Sequence, residues 1–114
     1  MCLPNSAPNT SRRDVNEIVI LLGAQIELQS CFAKQPTSRQ ANRFEAEVRA
    51  VSRQLERFPY SGRSYEGQFR RCLLRRFRYG LFYTVEGSRV MIHAVLDVRQ
   101  SPAAIRRRLG LPPR

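Results

Sequence analysis

The chain has 114 residues, enough for one domain with its own core and too few for two. It carries 20 Lys and Arg against nine Asp and Glu, a net charge of +11, with an ordinary apolar share of 42%. The longest apolar run, Ile18–Leu22, is too short to cross a bilayer, and Cys2, Cys31 and Cys72 form no CxxC pair, which argues against a zinc site.

Scattered single cysteines fit reduced thiols in the cytoplasm. Arg12 and Arg13 before an apolar run hint at a signal peptide, but Asp14 and Glu17 interrupt that pattern. The charge is uneven. Residues 1–62 hold eight bases and six acids, whereas residues 63–114 hold twelve bases and three acids. All the bases but Lys34 are Arg. A codon bias toward Arg does not produce that asymmetry. A positive field confined to one half suits a polyanion or an acidic protein partner.

Residues 1–14 contain Pro4 and Pro8 and no periodicity, which predicts a loose N-terminal extension. A single domain is expected over 15–110, followed by a short tail, 111–114. The run Glu17–Leu22 predicts a first strand, ended by Gly23 and placed centrally or doubly covered by its continuous apolarity. Ala24, Leu28, Cys31 and Phe32 form one face of a helix over about 24–34, and Pro36 breaks it. Thr37 is the N-cap of a second helix, with Gln40 completing a capping box. Along it Ala41, Phe44, Val48, Val51, Leu55 and Phe58 alternate spacings of three and four until Pro59. The stripe covers less than three heptads. That favours packing on the domain's own sheet over a coiled-coil seam, with the two helices as an antiparallel hairpin.

Residues 69–99 then read as three antiparallel strands over about 69–77, 79–86 and 89–97. In the middle strand Leu81, Tyr83 and Val85 alternate with Phe82, Thr84 and Glu86. Gly87 supplies the hairpin turn. In the last strand Val90, Ile92, Ala94 and Leu96 share one face, and Met91, His93, Val95 and Asp97 the other. Ser101 as N-cap, Pro102 at N1 and Gly110 just past the end frame a final helix docked by Ile105 and Leu109. Arg106, Arg107 and Arg108 complement its dipole or contact a partner. The order β-α-α-β-β-β-α implies an α+β domain: a small antiparallel sheet, the helical hairpin packed on one face, and a short C-terminal helix. The opposite face is expected to be open, with arginines on it or on its rim.

A sheet does not require Arg71, Arg75, Arg76, Arg78, Arg89 and Arg99, so their density asks for a function. Arg71 and Arg75 are expected on one face of the strand with Leu73 and Phe77, and Arg76 and Arg78 on the other with Cys72 and Leu74. Snorkelling side chains would make that strand an edge or a twisted segment. Metal-free RNA cleavage needs charge stabilisation, for which Arg71, Arg75, Arg76 and Arg99 are candidates. It also needs proton transfer, for which His93, the single histidine, and Tyr79 or Tyr83 are candidates. Tyr79 is expected near the rim and partly exposed, and Tyr83 as a core aromatic with a wet hydroxyl. Arg99 precedes an N-cap, where it either clamps the turn through backbone carbonyls or meets a partner.

Three stretches carry a resemblance: Leu55-Glu56-Arg57-Phe58-Pro59, the run Arg70 to Val85 with its arginines and tyrosines, and Val90 to Pro102 with Arg99 before the last turn. Together, over about 17–109, they are similar to the RelE/ParE superfamily, toxins of type II toxin–antitoxin modules also called plasmid stabilisation proteins. The resemblance implies a small cytoplasmic toxin neutralised by an antitoxin whose C-terminal region wraps it, in a complex that represses its own operon. RelE-like members cleave mRNA in the ribosomal A site, and ParE-like members inhibit DNA gyrase without nuclease activity. RelE-like nucleases often place His or Tyr near the C-terminus, where this chain has only Arg, Leu, Gly and Pro, so the resemblance tilts toward ParE. Arg78 stands where many relatives have Pro.

The expectation is therefore a gyrase-binding toxin neutralised by a cognate acidic antitoxin, with no cofactor, no metal and no membrane. Arg71, Arg75, Arg76, Arg78, Arg99, Arg106 and Arg107 form its contact surface. An antitoxin's carboxylates would meet Arg75 and Arg76 bidentately. The alternative is a ribosome-dependent mRNA endonuclease using Arg71, Arg75, Arg76, Tyr79, His93 and Arg99. A plain basic nucleic-acid-binding domain is a second alternative. The oligomeric state is open.

Overall fold

The structure, a computed structural model, describes residues 15–112. The extension expected over 1–14 and the last two residues of the tail lie outside the described residues. Eight elements follow in chain order: β1 Glu17–Ile20, α1 Leu22–Ala33, α2 Ser38–Arg57, β2 Arg63–Ser64, β3 Arg70–Leu73, β4 Tyr79–Glu86, β5 Arg89–Asp97 and α3 Pro102–Arg108. They build the expected α+β domain around a five-stranded sheet of order β1-β5-β4-β3-β2. The sheet is mixed: β2 to β5 are antiparallel, and β1 joins β5 in parallel.

The N-caps at Thr37 and Ser101 form as the sequence predicts, but among the described residues the Gln40 side chain makes no return bond to complete a capping box. The Thr37 hydroxyl accepts from the Gln40 amide at 3.1 Å, and the Ser101 hydroxyl from the Ala104 amide at 3.2 Å. At the end of α3, Gly110 takes φ 76°, and the Leu111 and Gly110 amides reach back to the Arg106 and Arg107 carbonyls. That pairing is a Schellman motif. The α2 stripe buries Ala41, Phe44 and Leu55, but Phe58 lies past the last turn and is exposed.

The core has two parts, one on each sheet face. Phe44, Leu55, Leu81, Tyr83, Val90, Ile92 and Val95 pack beneath the α1–α2 hairpin. Phe82, Ala94, Leu96 and Ile105 pack beneath α3, with Tyr65 and Leu109 beside them. The second face is thus roofed at one end and not open throughout, because Ile105 and Leu109 dock there.

Four expectations change. First, β1 is an edge strand. Its apolar run is split, with Ile18 and Ile20 facing the core and Leu22 already exposed at the start of α1. Gly23, expected to end the strand, lies inside that helix, and a Cβ there would meet an Arg108 guanidinium nitrogen at 2.7 Å. Second, β3 stops at Leu73, well short of residue 77. After Leu74, whose amide still bonds across the hairpin to Tyr79, the Arg75 and Arg76 amides leave the ladder and donate to Glu47 Oε1 at 2.8 and 3.3 Å. Arg75, Arg76 and Arg78 therefore sit in a loop and do not share strand faces with Cys72 to Phe77.

Third, a short strand, β2, pairs with β3 through Arg63↔Arg71 and Ser64↔Arg70. Fourth, the faces of β5 swap midway. Phe82 pairs with Ala94 and Tyr83 with Ile92, which leaves His93 as the extra residue of a β-bulge. Val90 and Ile92 face the hairpin, whereas Ala94 and Leu96 face α3. Strict alternation cannot describe a strand with an inserted residue.

Candidate functional site

The loop 74–78 between β3 and β4 is the most built basic feature. Leu74 is buried, and its amide closes the hairpin on the Tyr79 carbonyl at 3.0 Å. The Phe77 ring meets Phe44 edge-on at 5.4 Å. Glu47, one turn along α2 from Phe44, takes the Arg75 and Arg76 amides. Three anchors hold the backbone, and the side chains of Arg75, Arg76 and Arg78 remain exposed. None of the three has a carboxylate within ion-pairing distance among the described residues.

Beside this loop lies an apolar cleft between α1 and α2. Its volume is 430 Å³, and Ile20, Leu28, Phe32, Phe44 and Val48 line it. Glu45 and Arg49, paired at 3.1 Å, stand at its rim. Phe32 is 41% exposed, so an aromatic ring is open to water there. Phe44 connects the two features: it lines the cleft and supports Phe77 and Tyr79.

The other expected residues are dispersed. Arg71 extends over the Tyr65 ring, 5.8 Å from its centre, on the face of β3 toward α3. Arg99 is exposed but engaged: its Nε and Nη2 donate to Asp97 at 3.2 and 3.0 Å, and its amide to Asp97 Oδ1 at 2.9 Å. The turn clamp is thus a carboxylate, where backbone carbonyls were expected. These bonds from Arg99 hold the Asp97 carboxyl below its usual range. Arg106 is buried and spent on Glu66 and the Pro112 carbonyl, and its Nε has no partner among the described residues. It has no face to present and drops out of the contact surface. Arg107, next to it, is exposed.

The proton-transfer candidates separate across the sheet. Tyr79 packs edge-on against Phe44 at 5.7 Å, on the hairpin side. Burial raises its phenol pKa, with Cys31 and Asp97 adding to the effect. Tyr83 is fully buried, and its hydroxyl is not wet: it accepts from the Gly62 amide at 2.9 Å and donates to the Pro59 carbonyl at 2.8 Å. Desolvation pushes its pKa to about 12.

His93 sits in the bulge on the opposite face, its ring edge-on to Phe69 at 5.1 Å. Its Nε2 is 2.9 Å from the Thr84 hydroxyl, which lies 3.2 Å from Glu86 Oε2. A carboxylate only accepts, so the single hydroxyl proton goes to Glu86 and Nε2 carries the ring proton. Burial lowers the His93 pKa, opposed by Glu86 and aided by Arg108. Glu47 and the bulge were missed in the sequence. Glu47 is half-buried on the flank of the α2 stripe, and no local pattern announces its reach to residues 75 and 76. Among the described residues no three His, Cys, Asp or Glu side chains are placed to hold a metal, and no helix is long and apolar enough to cross a membrane.

Residues 23–102 match the family model described as ParE toxin of type II toxin-antitoxin system, parDE. None of the curated proteins matches the chain in sequence. Among solved structures, a chain of the chromosomal ParDE TA system from P. aeruginosa superposes with a TM-score of 0.62 at 15% identity. The match covers 72% of this chain and 95% of that one, which at such low identity speaks for the fold alone.

Proposed function

Since the chain belongs to the ParE toxin family of type II toxin–antitoxin systems, we propose that it acts in the cytoplasm by binding and inhibiting DNA gyrase, and that a cognate acidic antitoxin neutralises it. The observation that carries this reading is the separation of charge from proton-transfer chemistry. Arg75, Arg76 and Arg78 are exposed on a pinned loop, while Tyr79 and His93 lie on opposite sheet faces. A nuclease needs its acid and base around one phosphate. A binding toxin needs only a shaped, charged surface. The antitoxin would lay apolar side chains in the α1–α2 cleft and set carboxylates against the loop arginines.

The reading rests on induction without antitoxin. Expected are an SOS response and loss of gyrase supercoiling. Rapid translation arrest with cleaved mRNA would instead establish the ribosome-dependent nuclease. That alternative has one observation in its favour, the Glu86–Thr84–His93 chain, which fixes the ring proton on Nε2 and leaves Nδ1 to act as a base.

A further inference from the structure

We propose that Glu47 is a positioning residue: its carboxylate, seated on the Arg75 and Arg76 amides, sets the loop that presents Arg75, Arg76 and Arg78 to an acidic, amphipathic protein segment. The inference rests on the contact surface proposed above and adds a residue that touches no partner. The argument begins with the ladder. β3 and β4 pair as far as Leu73↔Gly80, and one more bond, from Leu74 to Tyr79, closes the hairpin. The following amides have no strand to pair with. Left to water, they would let the loop fluctuate. Glu47 Oε1 takes both, at 2.8 and 3.3 Å, while Leu74 and Phe77 are held in the core. Because the carboxylate is used on backbone, it neutralises none of the three guanidinium groups by direct pairing. A pre-ordered loop loses less entropy on binding.

The adjoining surface selects the partner class. The cleft lined by Leu28, Phe32, Phe44 and Val48 is apolar, and Phe44 joins it to the loop through Phe77. An amphipathic peptide can fill such a cleft with side chains while its carboxylates meet the arginines. A nucleic acid backbone offers nothing apolar to put there.

The test exploits a difference in sign. If Glu47 is only a negative charge in a basic patch, Glu47→Gln and Glu47→Ala should tighten an acidic ligand equally. If it positions the loop, Glu47→Ala weakens binding by about tenfold, and Glu47→Gln, whose amide oxygen still accepts, falls between. The probe is labelled poly-L-glutamate on the full chain, read by anisotropy at low and high salt, with a short random DNA duplex as the second ligand. Amide exchange reads positioning without any ligand. In Glu47→Ala the Arg75 and Arg76 amides should exchange at least about tenfold faster, and the Leu74 amide should keep its rate. Unchanged exchange at those two amides, or equal tightening by both variants, overturns the role of Glu47. If Arg75→Ala with Arg76→Ala leaves polyglutamate binding intact, the contact surface itself is wrong, whatever Glu47 does. Loop-dependent binding of the duplex in preference to polyglutamate overturns the protein partner.

Discussion

The Tyr83 hydroxyl donates to the Pro59 carbonyl at 2.8 Å, joining the middle of β4 to the second residue past α2. The same oxygen accepts from the Gly62 amide at 2.9 Å, and a Cβ at Gly62 would lie 2.4 Å from it. One phenol thus ties two points of the α2–β2 connection to the sheet, where Arg70 also holds the Tyr60 and Gly62 carbonyls. Tyr83→Phe should leave a buried amide and carbonyl unsatisfied and cost about 2–3 kcal/mol, read as a lower urea midpoint with unchanged slope.

The same phenol gives a pH signature. The folded pKa of Tyr83 is raised to about 12, against about 10 in the unfolded chain. The unfolded state therefore loses its proton first. The stabilisation is complete below pH 10 and disappears as pH rises toward 12. Melting temperature should fall across that window, and less steeply in Tyr83→Phe than in the wild type. Equal slopes would show that the hydroxyl is not sealed.

Glu27 and Arg108 close an open sheet edge. Beyond Ile92, β5 has no strand on its β1 side among the described residues, because the chain enters α1. Val95 donates to Glu27 Oε1 at 3.0 Å, the His93 carbonyl accepts from Arg108 Nη2 at 2.9 Å, and the two side chains pair at 2.7 Å. Together they replace a neighbouring strand. Arg108→Ala with Glu27→Ala should lower stability by about 1–3 kcal/mol and expose an edge that invites strand pairing between molecules. Light scattering against concentration checks this. A double variant that stays as monodisperse as the wild type contradicts the edge role.

His93 separates structure from catalysis. Its folded pKa lies below the unfolded value, chiefly through burial. Its contribution to stability is present above about pH 6.5 and is lost as pH falls below it. His93→Gln should flatten the wild-type decline between pH 7 and 5, isolating this group from carboxylates that titrate lower. On the binding reading, His93→Ala and Tyr79→Phe each leave growth arrest intact once expression is matched. Loss of toxicity without loss of folded protein in either variant favours the nuclease.

Local signals carried most of the fold. Thr37, Ser101, Pro102 and Gly110 mark helix ends by chemistry confined to a few residues, and the α2 stripe repeats over its whole length. What escaped depends on distant partners. The loop that follows β3 is held by Glu47, on another element, and alternation through Phe77 gives no hint of it. The swap of faces at His93 needs one inserted residue, which a period of two cannot reveal. The arginines were legible as a surplus but not as individuals, because Arg75, with no paired carboxylate among the described residues, looks like Arg99 and Arg106 until Asp97 and Glu66 are located beside those two.

Arg106 and Arg107 turn that last point into a measurement. They are adjacent on α3, yet one is 8% exposed and tied to Glu66 and the Pro112 carbonyl, whereas the other faces solvent. Arg106→Ala removes a buried cation from a paired carboxylate and should cost about 3–5 kcal/mol. Arg107→Ala touches no packing and should stay within about 0.5 kcal/mol of the wild type. Their effects on the acidic partner run the other way. At a temperature where both variants are folded, Arg107→Ala weakens binding and steepens its loss with salt less than the wild type does, since one fewer charge is engaged. Arg106→Ala leaves affinity per folded molecule unchanged. Thermal melts alongside anisotropy titrations of labelled poly-L-glutamate give both numbers. If Arg106→Ala proves neutral to stability while weakening binding, its side chain turns outward in solution and belongs with the contact surface after all.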